Sequence, residues 1–274
     1  MIFGDDMIVL YVLIALALAI SIAFAVLVAP GKKKDIDKYK GINFAHRGLH
    51  DEDKVENSMS AFKAAVDAGY GIEMDIRLSS DGKLVVFHDD TLSRVVGIDG
   101  KVDEYTAEEL GKMKLLASDD GVPLFEDVLK MVDGKVPLLV EMKEASGQYG
   151  VSNAAAEVLK GYKGPYIVES FNPLSLANFS KKMPDVACGI LSYRYYEEEK
   201  YRKPLFLALQ LLLLNRLCNP SFISYDHRHA NSIGLRLARL LGAATVAWTV
   251  RSLDEADVAK KNKFDSIIFE NYLP

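Results

Sequence analysis

The sequence predicts an α/β fold: a closed (β/α)8 barrel preceded by one membrane-spanning helix. Three observations predict it. An uncharged apolar run stands near the N-terminus, eight short apolar strand-like runs follow it, and helix-like segments separate most of those runs. An open doubly wound sheet is the competing arrangement, but no Gly-rich dinucleotide turn follows the first strand. The chain has 274 residues, half of them hydrophobic, which fits one large domain or two small ones and excludes disorder. A formal net charge of -5 argues against a nucleic-acid partner, although it leaves room for a local cationic pocket. Two cysteines, Cys188 and Cys218, are too few for a disulfide scaffold and are expected to stay reduced.

The first element is residues 7–29, within an anchor segment 1–29. At about 1.5 Å per residue this run forms a helix of about 34 Å, enough for a hydrocarbon core of about 30 Å. A cleaved signal peptide wants a basic start and a shorter apolar stretch, whereas Asp5 and Asp6 precede this one. Lys32, Lys33, Lys34, Lys38 and Lys40 follow in a basic linker, 30–41. By the positive-inside rule they predict a single-pass membrane protein with its N-terminus outside and the barrel, residues 42–274, in the cytoplasm. The same lysines suit anionic headgroups.

The strand-like runs are residues 42–46, 71–75, 136–143, 166–170, 187–191, 222–225, 244–250 and 265–270. Asn57 or Ser58 opens a helix that stops before Gly69. Further helices are expected over 153–160 and 230–241, and Ser252 with Glu255 opens the last. One unit breaks the alternation, because residues 79–82 leave no room for a helix. Asp81-Gly82 there reads as a two-residue hairpin turn. With that turn central, Leu78 faces Val85 and Asp75 faces His88. Glu73, Asp75 and His88 then share one patch near the C-terminal rim, where barrel sites are built.

Polar residues interrupt these strands. Glu73 and Asp75 break one apolar run, and Glu141 and Lys143 another. Buried carboxylates need a cation or strong hydrogen bonds. Glu73, Asp75 and Glu141 together form a hard-oxygen set suited to one divalent cation, Mg2+ or Ca2+, with zinc a poorer match; an ion-pair network with Lys143 and Arg77 is the alternative. His46 and His88 each end a strand, and two histidines on a carboxylate rim suit acid/base work. Arg47 and Lys143 are rim cations that, with a metal, make a phosphate pocket. His50, His227 and His229 stand in weaker contexts.

These residues fall in an ordered series. It comprises Ala45-His46-Arg47-Gly48, Glu56-Asn57-Ser58, Gly71-Ile72-Glu73-Met74-Asp75-Ile76-Arg77-Leu78 and Asp81-Gly82 with Val85-Val86 and His88-Asp89. Pro123-Leu124, Glu126-Asp127-Val128-Leu129, Val140-Glu141-Met142-Lys143, Ser170-Phe171-Asn172 and Ala247-Trp248-Thr249-Val250 follow. In this series the chain resembles the glycerophosphodiester phosphodiesterases, from about Ile42 to the C-terminus. The chain departs from the family pattern at Val55, Ser58, Arg251 and Phe269-Glu270. None of these is a candidate carboxylate or histidine, so they are expected to reshape the pocket mouth and bear on substrate identity more than on the chemistry.

The resemblance implies a TIM barrel that hydrolyses glycerophosphodiesters to glycerol 3-phosphate and an alcohol. Glu73, Asp75 and Glu141 are then the metal ligands, His46 the base and His88 the acid. Arg47 and Lys143 hold the phosphate, and Trp248 packs either on the glycerol or leaving group or in the core. Residues 89–122 match the small insertion that the family carries after its histidine-aspartate pair, with a helix over 106–113 capped by Thr106 and Glu109. Residues 205–214 are almost wholly apolar, flanked by Arg202, Lys203 and Arg216 with Tyr193, Tyr195, Tyr196 and Tyr201 upstream. They suit a helix packed on the barrel, or a membrane-surface helix that admits lysophospholipids as substrate, a lysophospholipase D activity. A catalytically inactive membrane-tethered binding module is the reading from another class. It would have lost a candidate carboxylate or histidine, and all five are present.

Overall fold

In the computed structural model, residues 2–274 are described apart from Lys33, Ala117 and Ser146, and the side chains of residues 2–6 lie outside the description. The expectations placed on Lys33, Asp5 and Asp6 therefore fall outside the described residues.

Helix α1, Ile2–Val28, carries the apolar run and exposes most of it. It is the one helix among the described residues long and apolar enough to cross a membrane. Its C-terminal end is docked on the rest of the chain: Val28 is buried, Asn215 Nδ2 donates to the Val28 carbonyl at 2.8 Å, and Gly31 N–H donates to Pro220 O at 2.7 Å. The basic segment behind it is also held. Lys34 Nζ donates to Ser180 Oγ at 2.9 Å, and Lys40 lies 3.7 Å from Asp265. A 3-10 turn, Ile36–Tyr39, buries Ile36 and Tyr39 under the barrel, where the Tyr39 hydroxyl donates to Tyr166 O at 2.8 Å.

The barrel closes through eight parallel strands: β1 Asn43–Ala45, β2 Gly71–Leu78, β4 Leu138–Met142, β5 Tyr166–Ser170, β6 Cys188–Ser192, β7 Phe222–Asp226, β8 Ala244–Val250 and β9 Ser266–Phe269. Strand β3, Leu84–Val86, hangs antiparallel on β2. β1 pairs with both β2 and β9, which completes the ring. Alternate residues face the interior. Phe44, Leu139, Ile167, Phe222 and Val246 fill its lower part as an apolar plug. Two residues further along their strands stand His46, Glu141, Glu169, Ser224 and Trp248, so the inward face turns polar toward the C-terminal rim.

The helices between strands are α2 Met59–Ala68, α4 Phe125–Val132, α5 Gly150–Leu159, α6 Pro173–Lys182, α9 Ile233–Leu240 and α10 Leu253–Lys261, with α7 Pro204–Gln210 and α8 Asn215–Cys218 sharing one interval. Ser58 caps α2 by accepting from Ala61 N–H, and Ser252 caps α10 by accepting from Glu255 N–H. α9 starts later than the apolar pattern suggests, because His227–His229 form a 3-10 turn before it. Helix α3, Ala107–Lys112, has the reciprocal Thr106–Glu109 capping box, and the insertion around it packs Leu92, Val95, Val102, Leu110, Leu115 and Val122 into a small core with Val85 and Phe87. Cys188 and Cys218 are buried free thiols.

The hairpin departs from expectation by one residue. Arg77 pairs with Val85 and Leu78 with Leu84. Ser79 N–H donates to Lys83 O at 2.9 Å, so the loop holds three residues, Ser80, Asp81 and Gly82, with Gly82 at φ +75°. This is the three-residue hairpin loop that ends on a left-handed glycine, not the two-residue turn. A one-residue slip reverses faces, so Asp75 lies opposite Phe87, whose N–H donates to Asp75 O at 2.9 Å.

Candidate active site

The chain leaves β1 through a tight left-handed turn. Arg47 and Gly48 both have positive φ, and a Cβ on Gly48 would stand 2.9 Å from Ala61. The turn aims Arg47 N–H at Glu73 Oε2, 2.9 Å away, and its carbonyl accepts from Asn57 N–H at 2.8 Å. The Arg47 guanidinium reaches Glu56 at 2.7 Å and Asp75 at 3.4 Å.

Glu73 and Asp75 rise from β2 and Glu141 from β4, with Asp75 in register with Glu141. One oxygen of each lies within 4.8 Å of the others, and all three are buried. Lys143 Nζ lies 3.1 Å from Asp75 and 2.7 Å from Glu141, and Asn57 Nδ2 donates to Asp75 at 2.8 Å. The ion pair with Lys143 is thus present, while Arg77 turns away to Asp90 and to the His88 carbonyl. Burial raises Glu73 well above the carboxylate range, helped by Asp75 and Glu141, and lifts Glu141 to about 7 against the pull of Lys143. Asp75 is held far below that range despite its burial, by Lys143 first and then His88 and Arg47.

Glu169 joins this group. It is in register with Glu141, is 1% exposed, and burial lifts it to about 8. Ser224 Oγ donates to its Oε2, while Oε1 has no hydrogen-bond partner among the described residues. Four buried carboxyl groups therefore stand against the cations of Arg47 and Lys143. The three oxygens of Glu73, Asp75 and Glu141 fit a hard divalent cation by donor chemistry, and the raised pKa values of Glu73 and Glu141 mark ligand oxygens that Arg47 and Lys143 do not fully satisfy.

His46 and His88 line the cavity with Glu73, Glu141 and Lys143; its volume is about 410 Å3. Asp75 sits behind that surface. His46 Nδ1–H donates to Glu270 Oε2 at 2.5 Å, which leaves Nε2 as its unprotonated nitrogen. Burial lowers the His46 pKa, and Glu270 opposes the fall. His88 Nδ1–H donates to Asp89 at 2.6 Å, and Arg94 clamps Asp89 at 2.6 Å and Glu56 at 2.7 Å. His88 reaches the cavity because β3 ends at Val86 and Arg77 holds the His88 carbonyl at 2.9 and 2.7 Å, not through the expected pairing with Asp75. Trp248 is half-buried in the cavity wall, packed edge-on against Phe171 at 5.6 Å and Tyr193 at 6.0 Å.

Reading along the chain missed Glu56, Asp89, Glu169 and Glu270 as contributors. Glu169 had a signal, the strand alternation that puts it beside Glu141. Arg251 Nε donates to Glu270 Oε1 at 2.6 Å while Glu270 holds the candidate base His46, so these two positions stand directly behind a candidate catalytic side chain.

Residues 46–272 match the model of the glycerophosphoryl diester phosphodiesterase family. A glycerophosphodiester phosphodiesterase of Bacillus altitudinis is 35% identical over 54% of this chain, and that match spans 65% of the Bacillus enzyme's length. Glycerophosphodiester phosphodiesterase 1 of Homo sapiens is 25% identical over 84% of this chain and 76% of its own. The structure of an Oleispira antarctica phosphodiesterase in complex with the product sn-glycerol-3-phosphate matches with a TM-score of 0.72 at 21% identity, covering 85% of this chain and 94% of that one. The Thermotoga maritima glycerophosphodiester phosphodiesterase matches with a TM-score of 0.64 at 25% identity, covering 83% and 93%.

Proposed function

The chain belongs to the glycerophosphoryl diester phosphodiesterase family, and from that premise we propose that it hydrolyses glycerophosphodiesters to glycerol 3-phosphate and an alcohol. The observation that carries this reading is the pair of carboxylate-held histidines lining one cavity with Glu73 and Glu141, with Asp75 completing the carboxylate cluster behind its wall. The product bound to the Oleispira phosphodiesterase supports the same class of product.

Glu73, Asp75 and Glu141 would hold one divalent cation, Mg2+ or Ca2+. When bound, it supplies positive charge to a phosphate oxygen as negative charge builds there. His46 Nε2 takes the proton of the nucleophile, a water or the substrate's own glycerol hydroxyl. Glu270 holds the imidazole in the required tautomer and stabilises the imidazolium that forms. The oxygen–phosphorus bond to the nucleophile forms and the bond to the leaving alcohol breaks. His88, entering as the imidazolium that Asp89 holds at Nδ1, gives that alcohol its proton from Nε2. Water as nucleophile yields glycerol 3-phosphate directly, whereas the glycerol hydroxyl yields a cyclic phosphate that a water then opens to glycerol 3-phosphate. Arg47 and Lys143 orient the phosphodiester, and Trp248 walls the organic part of the substrate.

We read residues 7–29 as an uncleaved anchor and the barrel as cytoplasmic, a reading supported by the length of α1 and by Lys32, Lys34, Lys38 and Lys40 behind it. A C-terminal reporter active only outside the cytoplasm would overturn that topology. A second substrate reading, a lysophospholipid, is favoured by an apolar cavity adjoining the site.

The test is glycerol 3-phosphate release from glycerophosphocholine and glycerophosphoethanolamine by the full-length protein, with Mg2+, with Ca2+ and with chelator. Chelator-sensitive release that is lost in His46→Ala and in Glu73→Ala is expected. Release indifferent to chelator would sink the metal assignment, and silence on every substrate would sink the activity.

A further inference from the structure

A second cavity, of about 660 Å3, adjoins the catalytic one and shares Glu141, Lys143 and Phe171 with it. Its far wall differs in kind: Leu174, Leu205, Phe206, Leu209, Leu214 and Leu217. Charge therefore lies at one end and aliphatic surface at the other. The volume falls within the range of about 300–1,000 Å3 for small-molecule sites.

The wall comes from α7 and α8. No residue of α7 is fully buried, and Leu205 and Leu217 are 57% and 51% exposed. Exposed aliphatic residues around a groove call for an explanation that isolated ones do not. The segment is nevertheless fixed in place. Tyr196 N–H donates to the Gln210 side chain at 3.2 Å, and Phe206 packs against Tyr201 at 4.5 Å and Tyr195 at 5.5 Å. Its other end meets the anchor. Asn215 of α8 bonds the last residue of α1, and Leu217 also lines the space beside Pro30, Gly31 and Lys32. The groove thus runs from the candidate metal carboxylates to the point where the apolar N-terminal helix joins the barrel.

We propose that this groove is an acyl-chain subsite, and that the chain occupying it is the single fatty acyl tail of a monoacyl glycerophosphodiester drawn from the bilayer. The proposal rests on the phosphodiesterase reading above and names a substrate class for it. The phosphodiester lies at Lys143 and Glu141, and the tail passes Phe171 and lies along Leu205, Leu209, Leu214 and Leu217. Each methylene that leaves water is worth up to about fourfold in binding.

The test uses the full-length protein in phosphatidylcholine nanodiscs. The first arm compares kcat/KM on lysophosphatidylcholines of increasing acyl length with that on glycerophosphocholine. The ratio should climb with chain length, and Leu205→Gln with Leu217→Gln should lower it at least tenfold for the long-chain substrate. Leu253→Gln, an exposed leucine on α10, serves as control. A ratio indifferent to chain length, or unmoved by the two substitutions, overturns the subsite. The second arm needs no turnover. A lysophosphatidylcholine ether with a diazirine near the tail end is photolysed on the protein, and adducts are expected within residues 204–217. Adducts confined to α1, or spread evenly, overturn the proposal. Protein that labels at 204–217 yet hydrolyses neither substrate class retains the subsite and refutes the activity.

Discussion

His46 and Glu270 lie 224 residues apart in the chain and meet at 2.5 Å across the seam where β1 and β9 close the barrel. The contact fixes which nitrogen of His46 carries the proton. Arg251 holds the other Glu270 oxygen, so Arg251 and Glu270 act as one unit behind one candidate catalytic side chain.

Glu270→Gln leaves the shape of this contact and removes its charge. With Glu270 no longer there to oppose the effect of burial, the His46 pKa falls further. The acid limb of the kcat/KM profile therefore moves to lower pH. In the plateau, kcat should drop about 10–100-fold, with KM changed less than about twofold. Glu270→Asp should recover part of the loss, since the charge returns at a longer reach. An unshifted acid limb would show that His46 does not titrate as the base.

Much of this site was legible along the chain, and the gaps have physical causes. Glu73, Asp75 and Glu141 announced themselves by interrupting apolar strands, and Ser58, Thr106 and Ser252 by the spacing of their caps. The hairpin register was not legible, because Asp-Gly serves both two-residue loops and three-residue loops that end on a left-handed glycine. His88 still reaches the cavity, carried by its bonds to Arg77 and not by strand pairing. Glu270 was hidden for another reason. Its partner is chosen by barrel closure, which no local pattern encodes.

Asn57 tests how the carboxylates are positioned. Its Nδ2 donates to Asp75 at 2.8 Å, and Asn57 is buried. Asn57→Ala frees Asp75 to turn toward Lys143, so divalent-cation affinity should weaken about 10–100-fold by calorimetry. An unchanged dissociation constant would mean that Lys143 and Arg47 orient Asp75 without Asn57.

Gly48 tests the turn that carries Arg47. A methyl there meets Ala61 at 2.9 Å on a backbone with φ +83°. Gly48→Ala should cost roughly 1–3 kcal/mol of unfolding free energy. It should also raise KM by displacing Arg47. Retained urea midpoint and KM would show that the turn relaxes without moving the guanidinium.

The buried carboxyl groups give the metal a pH signature in thermal unfolding. Burial lifts Glu141 to about 7 and Glu169 to about 8 in the metal-free fold, above the unfolded value of about 4.3. A raised folded pKa means stability that is complete below about pH 4.3 and is lost as pH rises toward 7 and 8. The unfolded chain releases these protons readily, and the folded chain must ionise them in place. A bound cation demands the ionised ligands and relieves that cost, so its stabilisation grows in the same window. The rise in Tm on adding Mg2+ or Ca2+ should thus be small at pH 5 and larger at pH 8. Glu169→Gln should raise the metal-free Tm at pH 8 and change it little at pH 5, since it removes an acid that ionises only in the upper range. A cation effect on Tm that is equal at both pH values would show that these carboxyl groups do not govern its binding.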